Sequence, residues 1–178
     1  MTIIQKNIGL LGGSFDPAHK GHLIISKIAI KKLKLKKIYW VITRKNPFKN
    51  KTFYSLHERI RYAKKISNTQ KKIETIYLEN IIKSSRIIDV INYFNKKKKT
   101  EVIYFIIGSD NLIRFHEWKS WKKIVKLVKL IVFSRKGYDR KGMKSIVAKN
   151  FKNRIIFIKN KPISISSTQL RKRMKLKI

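Results

Sequence analysis

The segment Gly12-Gly13-Ser14-Phe15-Asp16-Pro17-Ala18-His19-Lys20-Gly21-His22 gathers residue types that can handle phosphate. Two adjacent glycines let a ligand come close to the backbone, and Ser14 and Phe15 follow at once. His19 and His22 are three residues apart, a spacing that places both imidazoles on one face at a helix start. Imidazoles so placed can donate hydrogen bonds to phosphate oxygens as charge builds on them. The free N–H groups of a helix start add to the attraction for an anion. No Gly-Lys-Ser/Thr follows, so this is not a Walker loop. Two histidines could instead ligate a metal, but no third His or carboxylate follows at helical spacing.

A second group lies near the other end of the chain, in Ile165-Ser166-Ser167-Thr168-Gln169-Leu170-Arg171. Hydroxyls and backbone N–H groups at a helix start, with Arg171 one turn on, make another phosphate cradle. An ordinary helix cap followed by a surface arginine is the plainer alternative. Two separate cradles suit a triphosphate.

The elements that must position these groups are read from hydrophobic periodicity. Short apolar runs at Ile8–Leu11, Lys37–Thr43, Ile73–Leu78, Val102–Ile107, Leu130–Phe133 and Ile155–Ile158 predict six strands. Helical spacing follows from His22 to Leu33, after Ser55-Leu56-His57-Glu58 in a capping-box pattern, from about Ser85 to Asn95, and from Ser166 to Lys175. Strands alternating with helices imply an α/β, Rossmann-like doubly wound parallel sheet with helices on both faces. In such a sheet the loop after the first strand is where a phosphate meets a helix N-terminus. No repeat, linker or second domain is visible, so residues 1–178 read as one domain.

The ordered string from Gly12 to His22, together with the segment Ile165–Arg171, resembles the adenylyltransferase branch of the HxGH nucleotidyltransferase superfamily. In particular it is similar to the bacterial nicotinate-nucleotide adenylyltransferases. The resemblance runs from Ile8 to Arg173 and implies the nucleotidyltransferase type of fold. It implies transfer of AMP from ATP to nicotinate mononucleotide, giving deamido-NAD and pyrophosphate in NAD biosynthesis. His19, His22 and Arg171 would be catalytic. Gly12, Gly13, Ser14, Phe15, His19, His22, Gly108, Asp110, Arg135, Ser166, Ser167, Thr168 and Arg171 would bind ATP.

Asn46-Pro47-Phe48-Lys49 matches the loop that lies over the mononucleotide in that family, which implies roles for Asn46 and Lys49; a plain proline turn is the alternative. Trp118 matches the residue that stacks on the pyridine ring. By residue type alone Trp118 and Trp121 read as core anchors. Asp110, in Ile107-Gly108-Ser109-Asp110-Asn111, could equally cap a short helix, and Ser134-Arg135-Lys136-Gly137-Tyr138 could be a basic surface loop. One departure stands out. Where the family has Tyr-Thr-x-Asp-Thr at its third helix, this chain has Arg86-Ile87-Ile88-Asp89-Val90, which keeps the Asp and loses the hydroxyls. Magnesium is implied by the reaction class. No tight carboxylate cluster marks a protein-built metal cage, so the ion is expected to ride on ATP and water.

Bulk composition narrows the alternatives. The chain contains no cysteine, which excludes disulfides and cysteine-ligated zinc. The N-terminal stretch is too short and wrongly flanked for a signal peptide, and no apolar run approaches the roughly 18 residues of a membrane span. A cytoplasmic protein with no membrane partner is expected. The formal charge of +36 would attract nucleic acid or other polyanions. Its lysines are nonetheless spread through every segment, with Lys96–Lys99 read as a solvated loop, and abundant Ile and Asn point to a compositional bias. No specific nucleic-acid partner is expected; a homo-oligomer is left open. The rival readings are an HxGH adenylyltransferase with nicotinamide mononucleotide or phosphopantetheine as acceptor, and a basic nucleic-acid-binding protein, which would cluster its cations with interleaved aromatics.

Overall fold

The computed structural model describes residues 6–44, 51–97, 101–161 and 165–175. Strands β1 (Lys6–Gly13), β2 (Lys37–Ile42), β3 (Ile73–Ile76), β4 (Glu101–Gly108), β5 (Lys129–Phe133) and β6 (Ile155–Ile158) form a single parallel sheet ordered β3-β2-β1-β4-β5-β6. Every neighbouring pair is parallel, with Leu10 of β1 opposite Tyr39 of β2 and Phe105 of β4. The chain moves outward from β1 to β3, then returns to place β4 on the other side of β1. That reversal opens a crevice beyond the carboxyl ends of β1 and β4, the usual ligand position in an open α/β sheet.

Alternation of side chains along each strand builds two cores. Ile8 and Leu10, Tyr39 and Val41, and Ile103, Phe105 and Ile107 point to one face, packed under α4 (Ile87–Lys97), α6 (Trp121–Leu127) and α8 (Ile146–Asn150). Leu11, Ile38, Trp40, Ile42, Tyr104 and Ile106 point to the other, packed under α1 (Lys20–Leu33) and α2 (Leu56–Ser67). The near-continuous apolar runs of the sequence are therefore strands buried on both sides. Trp40 is fully buried and donates its indole N–H to Ser26 Oγ of α1 at 2.9 Å, a buried polar tie between that helix and the sheet.

The helix starts are made by side chains. Ser55 and Glu58 form the expected capping box, with Ser55 N–H donating to Glu58 at 2.9 Å and Glu58 N–H to Ser55 Oγ at 3.3 Å. Shorter helices fill the remaining connections: α3 (Glu79–Ile82), α5 (Ser109–Ile113) and α7 (Asp139–Met143). The last, α9 (Ser167–Lys175), returns the chain to the crevice. Two expectations are corrected. The third strand stops at Ile76, because Leu78 instead begins the turn into α3. Lys96 and Lys97 belong to the last turn of α4 and not to a loop, a position where cations interact well with the helix dipole. Lys98 and Lys99 lie outside the described residues.

Candidate active site

The crevice is built first by the turn from β1 into α1. A Cβ added at Gly12 or Gly13 would make only ordinary contacts, the nearest at 3.6 Å, so packing within the protein does not account for either glycine. Phe15 follows with φ 46°, a left-handed conformation that a bulky side chain adopts at a cost of roughly 1–3 kcal/mol. Its ring is held by stacking on Trp40, with centroids 5.2 Å apart, and lies 4.7 Å from the ring of His22.

His19 is the N-cap residue of α1 and His22 its third helical residue. Gly21 N–H donates to His19 Nδ1 at 3.1 Å, and His19 N–H donates to His22 Nδ1 at 3.2 Å. Two backbone donors that a helix start would leave unpaired are thus met by imidazoles. Because each Nδ1 accepts, each neutral ring carries its proton on Nε2, and both have an Nε2–H left to donate. The ring centroids are 4.0 Å apart. Burial pushes the His19 pKa down to about 4, with the positive charge of Arg135 acting in the same direction. Burial likewise holds His22 well below the ordinary histidine value; His19 and Arg135 add to this, and the bond from the His19 backbone only partly opposes it. At neutral pH both side chains are neutral donors.

The second predicted cradle meets the first. Ser167 Oγ of α9 donates to Pro17 O at 3.0 Å, and Arg171 Nη1 donates to Asp16 O at 2.5 Å while lying 3.8 Å from Asp16 Oδ2. Residues 150 positions apart in sequence therefore clasp the same turn. Ser166 Oγ accepts from Gln169 N–H at 3.2 Å, and Thr168 Oγ1 accepts from Arg171 Nη2 at 3.0 Å. Ser167 and Arg171 are thus occupied with the β1–α1 turn, Thr168 with Arg171, and Ser166 with Gln169.

The far wall comes from the ends of β4 and β5. Asp110 folds back over Gly108, so that a Cβ added there would meet Asp110 Oδ1 and the Arg135 side chain, both of which would have to shift. Asp110 also lies 3.8 Å from Arg135 Nε. The backbone of Arg135 is anchored by Asp139, which accepts from Arg135 N–H at 2.9 Å, from Ser109 Oγ at 2.6 Å and from Ser134 Oγ. Burial works against the charge on Asp139, but these donors outweigh it and hold its pKa below the ordinary value. Arg135 thereby stands close enough to influence both histidines.

Other predicted residues fall differently. Trp118 is half-buried; one face stacks on Phe115 at 4.9 Å, and Phe105 meets it edge-on at 6.0 Å. Trp121 packs edge-on against Phe151. Both tryptophans contribute to the core, as their residue type suggests, and Trp118 keeps partial exposure. Asn46 and Lys49 lie outside the described residues. At the start of α4, Ser84 Oγ donates to the retained Asp89 at 2.6 Å. Among the described residues no group of three or more His, Cys, Asp or Glu could hold a metal ion. No helix there is long and apolar enough to cross a membrane.

Sequence reasoning missed Arg59 and the anchoring roles of Asp16 and Asp139. Arg59 had a visible signal: it falls between Leu56, Ile60 and Ala63, on the face of α2 that helical spacing assigns to the interior. Asp16 accepts from Phe53 N–H at 2.8 Å and Tyr54 N–H at 2.9 Å, contacts that no local pattern announces.

Residues 10–173 match the Cytidylyltransferase-like family. The probable nicotinate-nucleotide adenylyltransferase of Pelagibacter ubique is 54% identical over 169 residues, covering 94% of this chain and 93% of that protein. That of Endomicrobium trichonymphae is 34% identical, covering 96% and 87%. The chain belongs to the nicotinate-nucleotide adenylyltransferase family. It is an HxGH nucleotidyltransferase, its His19-Lys20-Gly21-His22 carrying the motif. In fold it is similar to the Plasmodium falciparum nicotinic acid mononucleotide adenylyltransferase in complex with NaAD, with TM-score 0.76, 23% identity and coverage of 94% of this chain and 83% of that one.

The depressed histidine pKa values have a consequence for stability. Between pH 6.5 and about 4 the unfolded chain binds protons at His19 that the folded one does not, so stability against unfolding rises with pH across that window. Their contribution is fully present above the unfolded value and is lost as the solution is acidified. Urea denaturation at pH 7, 6 and 5 should show stability falling with acid, and His19→Gln should flatten the slope. Equal slopes for the two proteins would contradict the assignment.

Proposed function

We propose that the enzyme transfers AMP from ATP to nicotinate mononucleotide, giving deamido-NAD and pyrophosphate. A 5′-phosphate oxygen of the mononucleotide attacks the α-phosphorus in line, and the bond from that phosphorus to the bridging oxygen of the departing pyrophosphate breaks. The acceptor oxygen is already anionic, so no general base is needed. Positioning and neutralisation of charge do most of the work in such a transfer.

The observation that carries this reading is the pair of interlocked histidines whose Nε2–H groups remain to be donated at the opening of α1. Neutral donors fixed before substrate arrives stabilise charge that develops on the α-phosphate without a reorganisation cost. Gly12, Gly13, Ser14 and Phe15 would let the triphosphate approach the backbone. Ser166, Ser167, Thr168 and Arg171 would close on it from α9, and Gly108, Asp110 and Arg135 from the far wall. Arg171 would exchange part of its contact with Asp16 for phosphate. Magnesium carried on ATP would supply neutralisation of the triphosphate charge, in line with the lack of a three-ligand His, Cys, Asp or Glu group among the described residues. Asn46, Lys49 and Trp118 would take the mononucleotide, with the less buried part of Trp118 facing the pyridine ring. A phosphopantetheine acceptor is disfavoured because its flexible arm needs no stacking surface. The cytoplasm, where ATP is held, suits this reaction.

His19→Ala and His22→Ala should each reduce turnover by on the order of 10²–10³, the cost of losing a charge-stabilising donor. Each removes part of a helix cap as well, so stability should fall by about 0.5–2 kcal/mol, and circular dichroism should still show a folded protein. Turnover near that of the wild type in either variant contradicts the role.

The reaction itself is tested with purified enzyme, ATP and a panel of phosphorylated acceptors, following pyrophosphate. A site that reads a carboxylate through charge-assisted hydrogen bonds penalises the neutral amide, which brings a donor where an acceptor is wanted. Efficiency with nicotinate mononucleotide should exceed that with nicotinamide mononucleotide by at least roughly tenfold, about 1.4 kcal/mol. Equal efficiencies, or a preference for the amide or for phosphopantetheine, would show that the acceptor is wrong.

A further inference from the structure

Arg59 is among the largest fully buried side chains, and the transfer chemistry makes no use of its charge. Its Nε donates to Tyr54 O at 3.2 Å, Nη1 to Ser14 O at 2.8 Å and Thr43 O at 2.7 Å, and Nη2 to Arg44 O at 2.9 Å. Burial lowers its pKa, with the charges of Asp16 and Glu79 opposing. An apolar residue of similar volume would fill the same space without desolvating a cation, so packing alone does not explain an arginine here. What the guanidinium supplies is a planar fork that grips carbonyls from several directions at once, which a lysine cannot do.

The gripped carbonyls have a pattern. Thr43 and Arg44 leave the carboxyl end of β2, and Tyr54 leads into α2, so they flank residues 45–53 upstream and downstream. Ser14 belongs to the turn that carries His19 and His22. Asp16 of the same turn accepts from Phe53 and Tyr54 N–H, a second tie to the downstream flank. Both ends of the β2–α2 loop are therefore held against the catalytic turn by one side chain.

We propose that Arg59 is a positioning residue for the acceptor: by pinning both flanks of the β2–α2 loop to the β1–α1 turn, it sets where the acceptor phosphate stands relative to His19 and His22. This rests on the reading that the loop takes the mononucleotide. A merely structural arginine would affect both substrates or only stability, whereas a positioning residue separates them.

The test is steady-state kinetics on Arg59→Met and Arg59→Lys, with each substrate varied at saturation of the other. In Arg59→Met the KM for nicotinate mononucleotide should rise about tenfold or more, and the KM for ATP should rise several-fold less, because the β1–α1 turn loses only its Ser14 contact and keeps those to Ser167 and Arg171. Arg59→Lys, which keeps the charge and loses the fork, should shift in the same direction by less. Hydrogen exchange without substrate provides a reading independent of activity: amides of Thr43, Arg44, Phe53 and Tyr54 should exchange faster in the variants, and those of β4 and β5 should not. If the wild type adenylylates a different acceptor, the nicotinate reading fails and the KM comparison is made on that acceptor. If it adenylylates none of the panel, exchange alone decides. Equal changes in both KM values, no change in either, unaltered exchange at the four amides, or failure of both variants to fold would each overturn the proposal.

Discussion

The site depends on how the first turn of α1 satisfies its own backbone. A helix start leaves N–H groups without partners. Here two of the donors around it are taken by imidazole Nδ1 atoms in place of the hydroxyls or carboxylates that usually cap a helix. That choice fixes the tautomer and leaves the Nε2 proton of each ring to donate, while burial, not the cap, keeps the rings neutral. A carboxylate cap would satisfy the same amides and repel a phosphate. The cap and the groups proposed to stabilise phosphate are one piece of structure, so on that reading sequence changes that loosen the helix start also disarm the site.

Much of the surrounding structure holds that turn still. Trp40 and Phe15 back His22 from below. Arg59 grips Ser14 O, and Asp16 ties the downstream flank of the β2–α2 loop to the turn. Arg171 and Ser167 bring the end of the chain onto Asp16 and Pro17. The strained backbone at Phe15 persists because these contacts over-determine it. Cations dominate throughout, in keeping with a net charge of +36, yet the histidines do not carry charge. Burial and the nearby Arg135 keep them deprotonated, while the surrounding field favours an anionic substrate.

The parts legible in the sequence are those set by local pattern. Doubly buried strands announce themselves as apolar runs, so the sheet was readable from Ile8 to Ile158, with β3 shortened at its end. The Ser55–Glu58 cap was readable because its four-residue spacing is its mechanism. The glycine and histidine string was readable as a turn that opens α1, but spacing alone gave two histidines sharing a face and not their interlock. The anchors were not readable. Asp16 and Arg171 meet across nearly the whole chain, and Asp139 gathers Ser109, Ser134 and the Arg135 backbone from separate elements. Such partners are chosen by the tertiary fold, and no periodicity records them. Arg59 lies between these cases, since helical spacing places a cation on the buried face of α2 but does not say which carbonyls it meets.

The central claim is that His19 and His22 are neutral, Nε2-protonated donors before any substrate binds. Nitrogen-15 NMR of the imidazole groups in the substrate-free enzyme reads this directly. At pH 7 both rings should show an unprotonated Nδ1 and a protonated Nε2, neither should titrate near pH 6.5, and His19 should take up its proton only near pH 4. A protonated Nδ1 on either ring at pH 7, or a midpoint near the ordinary histidine value, would contradict the account.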